Sequence, residues 1–391
     1  MWLAKIIHII TKLELGGAQL NTLYTITHLD KKKFLPYLIS GETAILDEEA
    51  KKCGVPFYKV PLMVRPVMPH KDILALWQLI RLLRKIKKED PQLPLIVHTH
   101  SSKAGILGRW AGFFAGCNGI VHSYHGFGFT DWQSPIVRNA FVWAERLTRP
   151  ITDRFICVSI NNLKKGAQKR VLVESKSHLI RSGISISEFK RNDKNPQEVK
   201  DELGIPADAP VVGMVACFKP QKAPLDFVDI AQRVASKHGH VYFLVAGDGE
   251  LRAEMERKIE EYGLKDRFLL LGWRKDIPRL MSVMNVLVLT SLWEGLPRVI
   301  PQAWSSEVPL VVTAVDGSAE AIKNGINGFL FEPRDVETAA QKILALLEDR
   351  ELAKSIALEG GKSVKEFDID LMVQKQEELY LSLLLEKSKL K

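Results

Sequence analysis

One pattern constrains this chain most, and it occurs twice: short apolar runs, each too short to be a buried helix, alternate with longer segments of helical apolar spacing. In the first half the runs are Lys5 to Thr11, Leu95 to His98, Ile120 to Ser123 and Phe155 to Ser159. Gly16-Gly17 follows the first run and precedes Leu20, Leu23, Ile26 and Leu29, which reads as strand, glycine turn, helix. A polar, Pro-containing stretch from Lys190 to Pro210 interrupts the pattern. It then restarts with runs at Val211 to Val215, Tyr242 to Ala246, Phe268 to Leu271, Val286 to Leu289 and Leu310 to Thr313, spaced by helices such as Leu225 to Lys237. Short strands separated by helices build a parallel sheet covered on both faces. The expectation is an α/β chain of two Rossmann-like, doubly wound domains, residues 1–190 and 191–370. A helix over 371–391 follows, with Leu379, Leu383 and Leu384 as a stripe able to pack back on the first domain. Open sheets of this kind bind ligands outside the carboxyl ends of their strands, so function is expected in the cleft where two such domains face each other.

The length of 391 residues suits two domains or a little more at about 150 residues each. Hydrophobic residues make up 46% and charged residues 26%, which excludes a disordered or fibrous chain. No apolar run approaches the roughly 18 residues of a membrane span. Lys5 with the run Ile6 to Ile10 has neither the length nor the small-residue cleavage site of a secretory signal, so a cytoplasmic location is expected. Cys53, Cys117, Cys157 and Cys217 form no Cys-x-x-Cys pair and read as reduced thiols.

The net charge of +9 is unevenly spread. Residues 1–190 carry 28 Lys and Arg against 14 Asp and Glu, whereas residues 191–391 carry 27 against 32. A basic half draws anionic partners such as acidic lipid or phosphorylated substrates. Nucleic acid is not expected, because no recognisable binding motif accompanies the charge. The segment Lys71 to Glu89 sets Ile73, Leu76, Trp77 and Leu79 beside Arg81, Arg84, Lys85, Lys87 and Lys88. It reads as a crossover helix packed on the sheet, with a basic side able to rest on an anionic membrane at the inner face of the cytoplasmic membrane.

Several segments carry candidate chemistry, each also readable as ordinary structure. Gly16-Gly17 lets a backbone approach phosphate at a helix N-terminus, yet it is neither a Gly-x-Gly-x-x-Gly fingerprint nor a Walker loop. Lys219 and Lys222 follow the Val211 strand, where ammonium groups can meet phosphate or simply be solvated. Gly249 belongs to a glycine-rich turn, Ala246 to Glu250. Glu294 stands at a strand-to-helix corner within Ser291 to Arg298, followed by Gly295 and Leu296; its carboxylate can accept hydrogen bonds from sugar hydroxyls. Gln302 both donates and accepts, and Pro301 argues for a late helix start. His98, His100 and His122 invite a metal reading, but no carboxylate or cysteine spacing completes a ligand set, so no metal is expected.

Together with Asp316-Gly317-Ser318-Ala319-Glu320, Asn324 to Leu330, Gly16 to Gln19, His100 to Gly105, Tyr124 to Gly128 and Arg181 to Ser185, the Glu294 corner resembles glycosyltransferase family 4 over most of the chain. These are retaining enzymes of the GT-B fold, among them bacterial capsule, exopolysaccharide and lipopolysaccharide glycosyltransferases. The resemblance implies a nucleotide-sugar donor, UDP-sugar favoured and GDP-sugar possible, and a glycan or lipid-linked acceptor, with no cofactor required. It implies that Gly16 and Gly17 face the donor diphosphate, that Lys222 neutralises it with Lys219 beside it, that Glu294 holds the hexose, and that Gly249, Gly295 and Leu296 belong to the donor site. Gln302 stands where the family places a glutamate toward the ribose, and Cys217 where many members place an arginine. His125 would lie near the anomeric centre, with His100 and Lys103 on the acceptor side. Front-face attack, with the departing phosphate taking the acceptor proton, is likewise an implication of the resemblance. Two other readings remain open: a nucleotide-sugar 2-epimerase, and a sugar-nucleotide-binding subunit without turnover.

Overall fold

The structure is a computed structural model describing residues 3–190 and 195–389. Residues 191–194 of the expected Lys190–Pro210 connection, and 390–391 of the expected terminal helix, lie outside the described residues. The chain forms two compact units. One comprises residues up to Gly183 together with the stretch from Ile369 onward; the other is Ile184–Asp368. The change-overs fall at Gly183/Ile184 and Asp368/Ile369, where the sequence suggests 190/191 and 370/371.

The first unit holds seven strands: β1 (Ala4–Lys12), β2 (Phe34–Glu42), β3 (Phe57–Lys59), β4 (Leu95–His100), β5 (Gly119–Tyr124), β6 (Arg154–Cys157) and β7 (Ser177–Leu179). They pair in parallel in the order β3-β2-β1-β4-β5-β6-β7. β4 and β5 are buried along their whole length, as strands covered on both faces must be. The second unit holds β8 (Val211–Val215), β9 (Tyr242–Ala246), β10 (Phe268–Leu270), β11 (Val286–Leu289), β12 (Leu310–Thr313) and β13 (Phe329–Phe331), again all parallel, in the order β10-β9-β8-β11-β12-β13. In each sheet the strand order reverses beside the first strand, at β1/β4 and at β8/β11. There the following loops diverge and leave a crevice at the carboxyl ends.

The apolar runs of the sequence all become strands, but β2, β3, β7 and β13 do not announce themselves. β2 contains Pro36, which argues against a strand interior. Pro36 stands before the Leu38–Ser40 stretch that pairs with β3, so its missing N–H falls outside the doubly paired part of the strand. The terminal helix Ile369–Lys389 covers one face of the first sheet: Met372, Leu379, Tyr380, Leu383 and Leu384 pack with Ile6, Phe34, Ile96, Val121 and Ile156. Ion pairs of Arg154 with Glu386 and of Lys387 with Asp153 (2.7 Å) secure its end. The helix Pro69–Glu89 covers the opposite face through Ala75, Leu79, Leu83 and Ile86.

Candidate active site

In the second unit, the loops after β8 and β11 meet at the strand-order reversal. A short turn, Pro220–Lys222, ends in Ala223, whose φ of 41° is left-handed, and the helix Pro224–Lys237 begins there. Thr290, just after β11, donates to the carbonyls of Lys222 (2.8 Å) and Ala223 (3.0 Å), while Leu292 N–H donates to Gln221 O (2.8 Å). This lacing brings the Lys222 ammonium onto Glu294 Oε1, which also accepts from Ser291 Oγ at 2.6 Å. The Glu294 side chain is 7% exposed and that of Lys222 19%. Burial pushes the Lys222 ammonium pKa down, but the adjacent Glu294 carboxylate outweighs it and holds the value above the ordinary range. Glu294 N–H in turn donates to Asp316 Oδ2 (2.9 Å), and Asp316 occupies a left-handed φ of 38° to reach it. A non-glycine residue held there stores strain, a recurrent feature of functional corners.

The neighbouring glycines have a different task. Gly249 has φ 156°, and a Cβ on it would fall 2.7 Å from Phe218 O; a Cβ on Gly317 would fall 2.0 Å from Gly295 O. These turns are glycine because the protein's own backbone crosses them closely. Leu296 is buried, while Gln302, Lys219 and Cys217 are half-buried. The helix Val299–Ser305 starts earlier than Pro301 suggests: the proline sits within its first turn, where an N–H has no intrahelical partner to lose.

In the first unit, histidines gather where β1 pairs with β4, at the end of β4 and just after β5. His8 Nδ1 lies 2.9 Å from His100 Nε2, and His100 Nδ1 lies 3.0 Å from His125 Nε2. His98 meets Tyr380 Oη at 2.6 Å and Ser123 Oγ at 2.7 Å. Burial drives His8 down to about 3 and drives His98 and His100 well below the ordinary 6.5, with neighbouring imidazoles adding to the effect on the last two. All three are neutral at pH 7. His98, His100 and His122, the three histidines that stand out in the sequence, do not cluster together. The three imidazoles whose nitrogens lie within 4.8 Å of one another are those of His8, His98 and His100. His122 instead bonds Thr99 Oγ1 (2.8 Å) beneath the helix Ser102–Phe114. His100 and His125 line a cavity with Asn21, Thr22, Ser123 and Arg181. Asn21 is 3% exposed, and neither atom of its amide has a partner among the described residues.

His100 and Lys103, the acceptor-side candidates, both have partners within the first unit. Both ring nitrogens of His100 are engaged by other histidines. Lys103 donates to Asp72 Oδ1 (2.6 Å) and Pro66 O (2.8 Å), which ties two helices together. Gly16 precedes the helix Gly17–His28 in extended conformation, φ −153°, and a Cβ there would meet only the movable Gln19 side chain, so the fold itself does not demand glycine. Sequence reasoning missed His8, Tyr380, Asn21 and the role of Asp316. His98-x-His100 was a usable signal, since strand alternation sends both side chains to one face.

Comparison with known proteins accords with this geometry. Residues 15–188 match the family model described as Glycosyltransferase Family 4, and residues 195–362 the model described as Glycosyl transferases group 1. An Escherichia coli UDP-Gal:alpha-D-GlcNAc-diphosphoundecaprenol alpha-1,3-galactosyltransferase is 33% identical over 98% of both chains. The capsular polysaccharide biosynthesis glycosyltransferase CapM of Staphylococcus aureus is 24% identical over 92% of this chain and 93% of its own. The crystal structure of Anabaena HepE with UDP and glucose superposes with a TM-score of 0.81 at 20% identity, covering 97% of this chain and all of that one. Two Rossmann-like parallel-sheet units of the GT-B class, and full-length similarity to enzymes of lipid-linked glycan and capsule assembly, lead to one conclusion: this chain is a glycosyltransferase belonging to family 4.

Proposed function

We propose that this enzyme transfers a hexose from a UDP-sugar, with retention at the anomeric carbon, to a glycan carried on a lipid diphosphate at an anionic membrane surface. The observation that carries the reading is the buried Lys222–Glu294–Ser291 cluster. The galactosyltransferase relative at 33% identity supports UDP-galactose and a diphosphoundecaprenol-linked acceptor as the pair to try first.

The roles divide by unit. In the second, Glu294 accepts from hexose hydroxyls, Lys222 and Lys219 meet the diphosphate, Gln302 hydrogen-bonds the ribose, and Gly249, Gly295 and Leu296 shape the wall around the donor. In the first, Gly16 and Gly17 present backbone N–H groups to phosphate, and His125 orients the hexose or the acceptor hydroxyl. As the bond from the anomeric carbon to the diphosphate oxygen breaks, negative charge grows on the leaving group, and a preorganised ammonium lowers the barrier. The acceptor oxygen bonds the anomeric carbon on the same face, and its proton passes to the departing phosphate oxygen.

The membrane reading is supported by exposed apolar side chains on three helices: Ile73 and Trp77 on Pro69–Glu89, Phe113 near the end of Ser102–Phe114, and Ile136, Trp143 and Leu147 on Pro135–Thr148. These helices are tied together by Arg84 to Phe114 O (2.9 Å) and Trp110 to Thr148 Oγ1 (3.2 Å). Exposed Arg81, Lys85 and Lys88 lie on the same helix as Ile73 and Trp77, Arg81 standing over the Trp77 ring, and exposed aromatics with cations suit an anionic interface. The enzyme is accordingly read as peripheral on the cytoplasmic side. No described helix is long and apolar enough to cross a membrane.

The test is mass-resolved turnover of UDP-, GDP- and ADP-sugars with and without a membrane lipid extract. Nucleotide release coupled to a hexose-sized mass increase on a lipid supports the proposal, and the anomeric coupling constant of the product reads retention. An isomerised donor without a lipid product points to an epimerase. Donor bound but never consumed points to a binding subunit.

A further inference from the structure

We propose that His8 and His100 are positioning residues that set which ring nitrogen of His125 carries its proton. The inference rests on the proposed role of His125 beside the reacting sugar. It starts from a continuous chain of contacts: Tyr380 Oη to His8 Nε2 (3.5 Å), His8 Nδ1 to His100 Nε2 (2.9 Å), and His100 Nδ1 to His125 Nε2 (3.0 Å). His8 is wholly buried, His100 is 3% exposed, and His125 is half-buried at the cavity that Asn21 and Arg181 also line.

A neutral imidazole has one N–H and one lone pair, on different nitrogens. In a series of such rings each hydrogen bond therefore runs in the same sense, and the polarity of the first bond is inherited by the last. Because His100 engages Nε2 of His125, a hydrogen bond from His125 to a substrate goes through Nδ1, and Nδ1 is a donor when Nε2 accepts and an acceptor when Nε2 donates. Reversing the tautomer of His125 alone would cost its part-buried hydrogen bond to His100. Tyr380 stands at the far end, where its hydroxyl also contacts Gln376 Oε1 at 3.3 Å. Its Oη also contacts His98 Nδ1 at 2.6 Å, and His98 Nε2 contacts Ser123 Oγ at 2.7 Å. The helix Ile369–Lys389, last in the chain, thus reaches the candidate catalytic ring through β1 and β4. No bond is made or broken by this relay; it orients one proton.

His8 is the residue to change, because it does not line the cavity and reaches His125 only through His100. His8→Phe keeps a ring and removes both nitrogens, whereas His8→Asn sets an amide where Nδ1 stood. With the donor and acceptor identified by the turnover panel, His8→Phe is expected to lower kcat about tenfold or more while leaving the donor KM within about twofold, as misorientation of a reacting group does. His8→Asn should recover most of the loss. The second measurement reads nitrogen chemical shifts of the imidazoles in ¹⁵N-histidine-labelled protein at pH 7. His125, assigned from the spectrum of His125→Ala, should show a single neutral tautomer in the wild type and a tautomer-averaged signal in His8→Phe.

Tautomer averaging of His125 in the wild type overturns the proposal, whether or not either variant folds. So does a folded His8→Phe with wild-type kcat while His125→Ala is inactive; that result leaves the reading of His125 itself intact. A stoichiometric transition metal in the purified protein also overturns it, since ligation would take the lone pairs that the chain requires. Full activity in His125→Ala removes the underlying role of His125, and the spectrum then decides the tautomer lock independently.

Discussion

Acidification should unfold the first unit well before carboxylates titrate. Four of its histidines, His8, His98, His100 and His122, are at most 3% exposed. Each is lowered mainly by burial: His8 to about 3, the others well below their ordinary 6.5. A group whose folded-state pKa is depressed binds protons first in the unfolded chain, so for a histidine stability is lost as pH falls below the unfolded value near 6.5 and continues to be lost down to the folded one. Between pH 7 and pH 5 the loss is about 2 kcal/mol for each such histidine, or about 8 kcal/mol for four independent sites. That is comparable to the whole stability of an ordinary domain. The assay is hydrogen exchange with mass spectrometry at pH 7, 6 and 5, corrected for intrinsic rates, following peptides that cover β1, β4 and β5. Strands β8 and β9 provide an internal reference, because the second unit's histidines, His238 and His240, are not buried. Protection of β1, β4 and β5 should fall by several kcal/mol while that of β8 and β9 changes little. A loss below about 2 kcal/mol, or one equal in both units, would refute the argument that these imidazoles are buried neutral.

Other consequences are more local. Lys222→Ala and Glu294→Ala should each reduce turnover at least about 100-fold with circular dichroism unchanged, the scale seen when one preorganised donor to a developing charge is removed; near-normal nucleotide release in both would dismiss the cluster as the donor site. Gly249→Ala forces a Cβ to within 2.7 Å of Phe218 O at φ 156°, and should destabilise the second unit by about 2 kcal/mol or more, read as a lower denaturant midpoint. Replacing Trp77, Ile136 and Trp143 together by serine should abolish co-flotation with anionic vesicles without affecting thermal stability, since all three are exposed; retained flotation would refute membrane seating by this face.

Much of the architecture was legible from local pattern. The runs that became β1, β4, β5, β6, β8, β9, β10, β11 and β12 are strongly apolar, and burial on both faces is what makes such runs uninterrupted. β3, β7 and β13 are three residues each, too short to establish a period, and β2 is broken by Pro36. At the candidate site, Glu294 and Lys222 could be singled out because they stand in the loops that follow apolar strands, at sheet ends. Their direct contact could not, because it depends on Thr290 and Gln221 lacing two loops 67 or more residues apart. The ion pair of Lys103, an acceptor-side candidate, with Asp72 on another helix was equally beyond local pattern.

What the sequence alone determined is therefore what neighbours along the chain can encode: the alternation of strand and helix, its restart after the polar stretch, the asymmetry of charge, and the carboxylate corner after β11. Tertiary structure decided the rest. His8 and His98 stand side by side only because β1 pairs with β4 in the register that sets His8 opposite His98, and Tyr380 meets them only because the last helix returns to the first sheet. Strand order and register depend on which distant faces bury each other, an energy that no short window of residues contains.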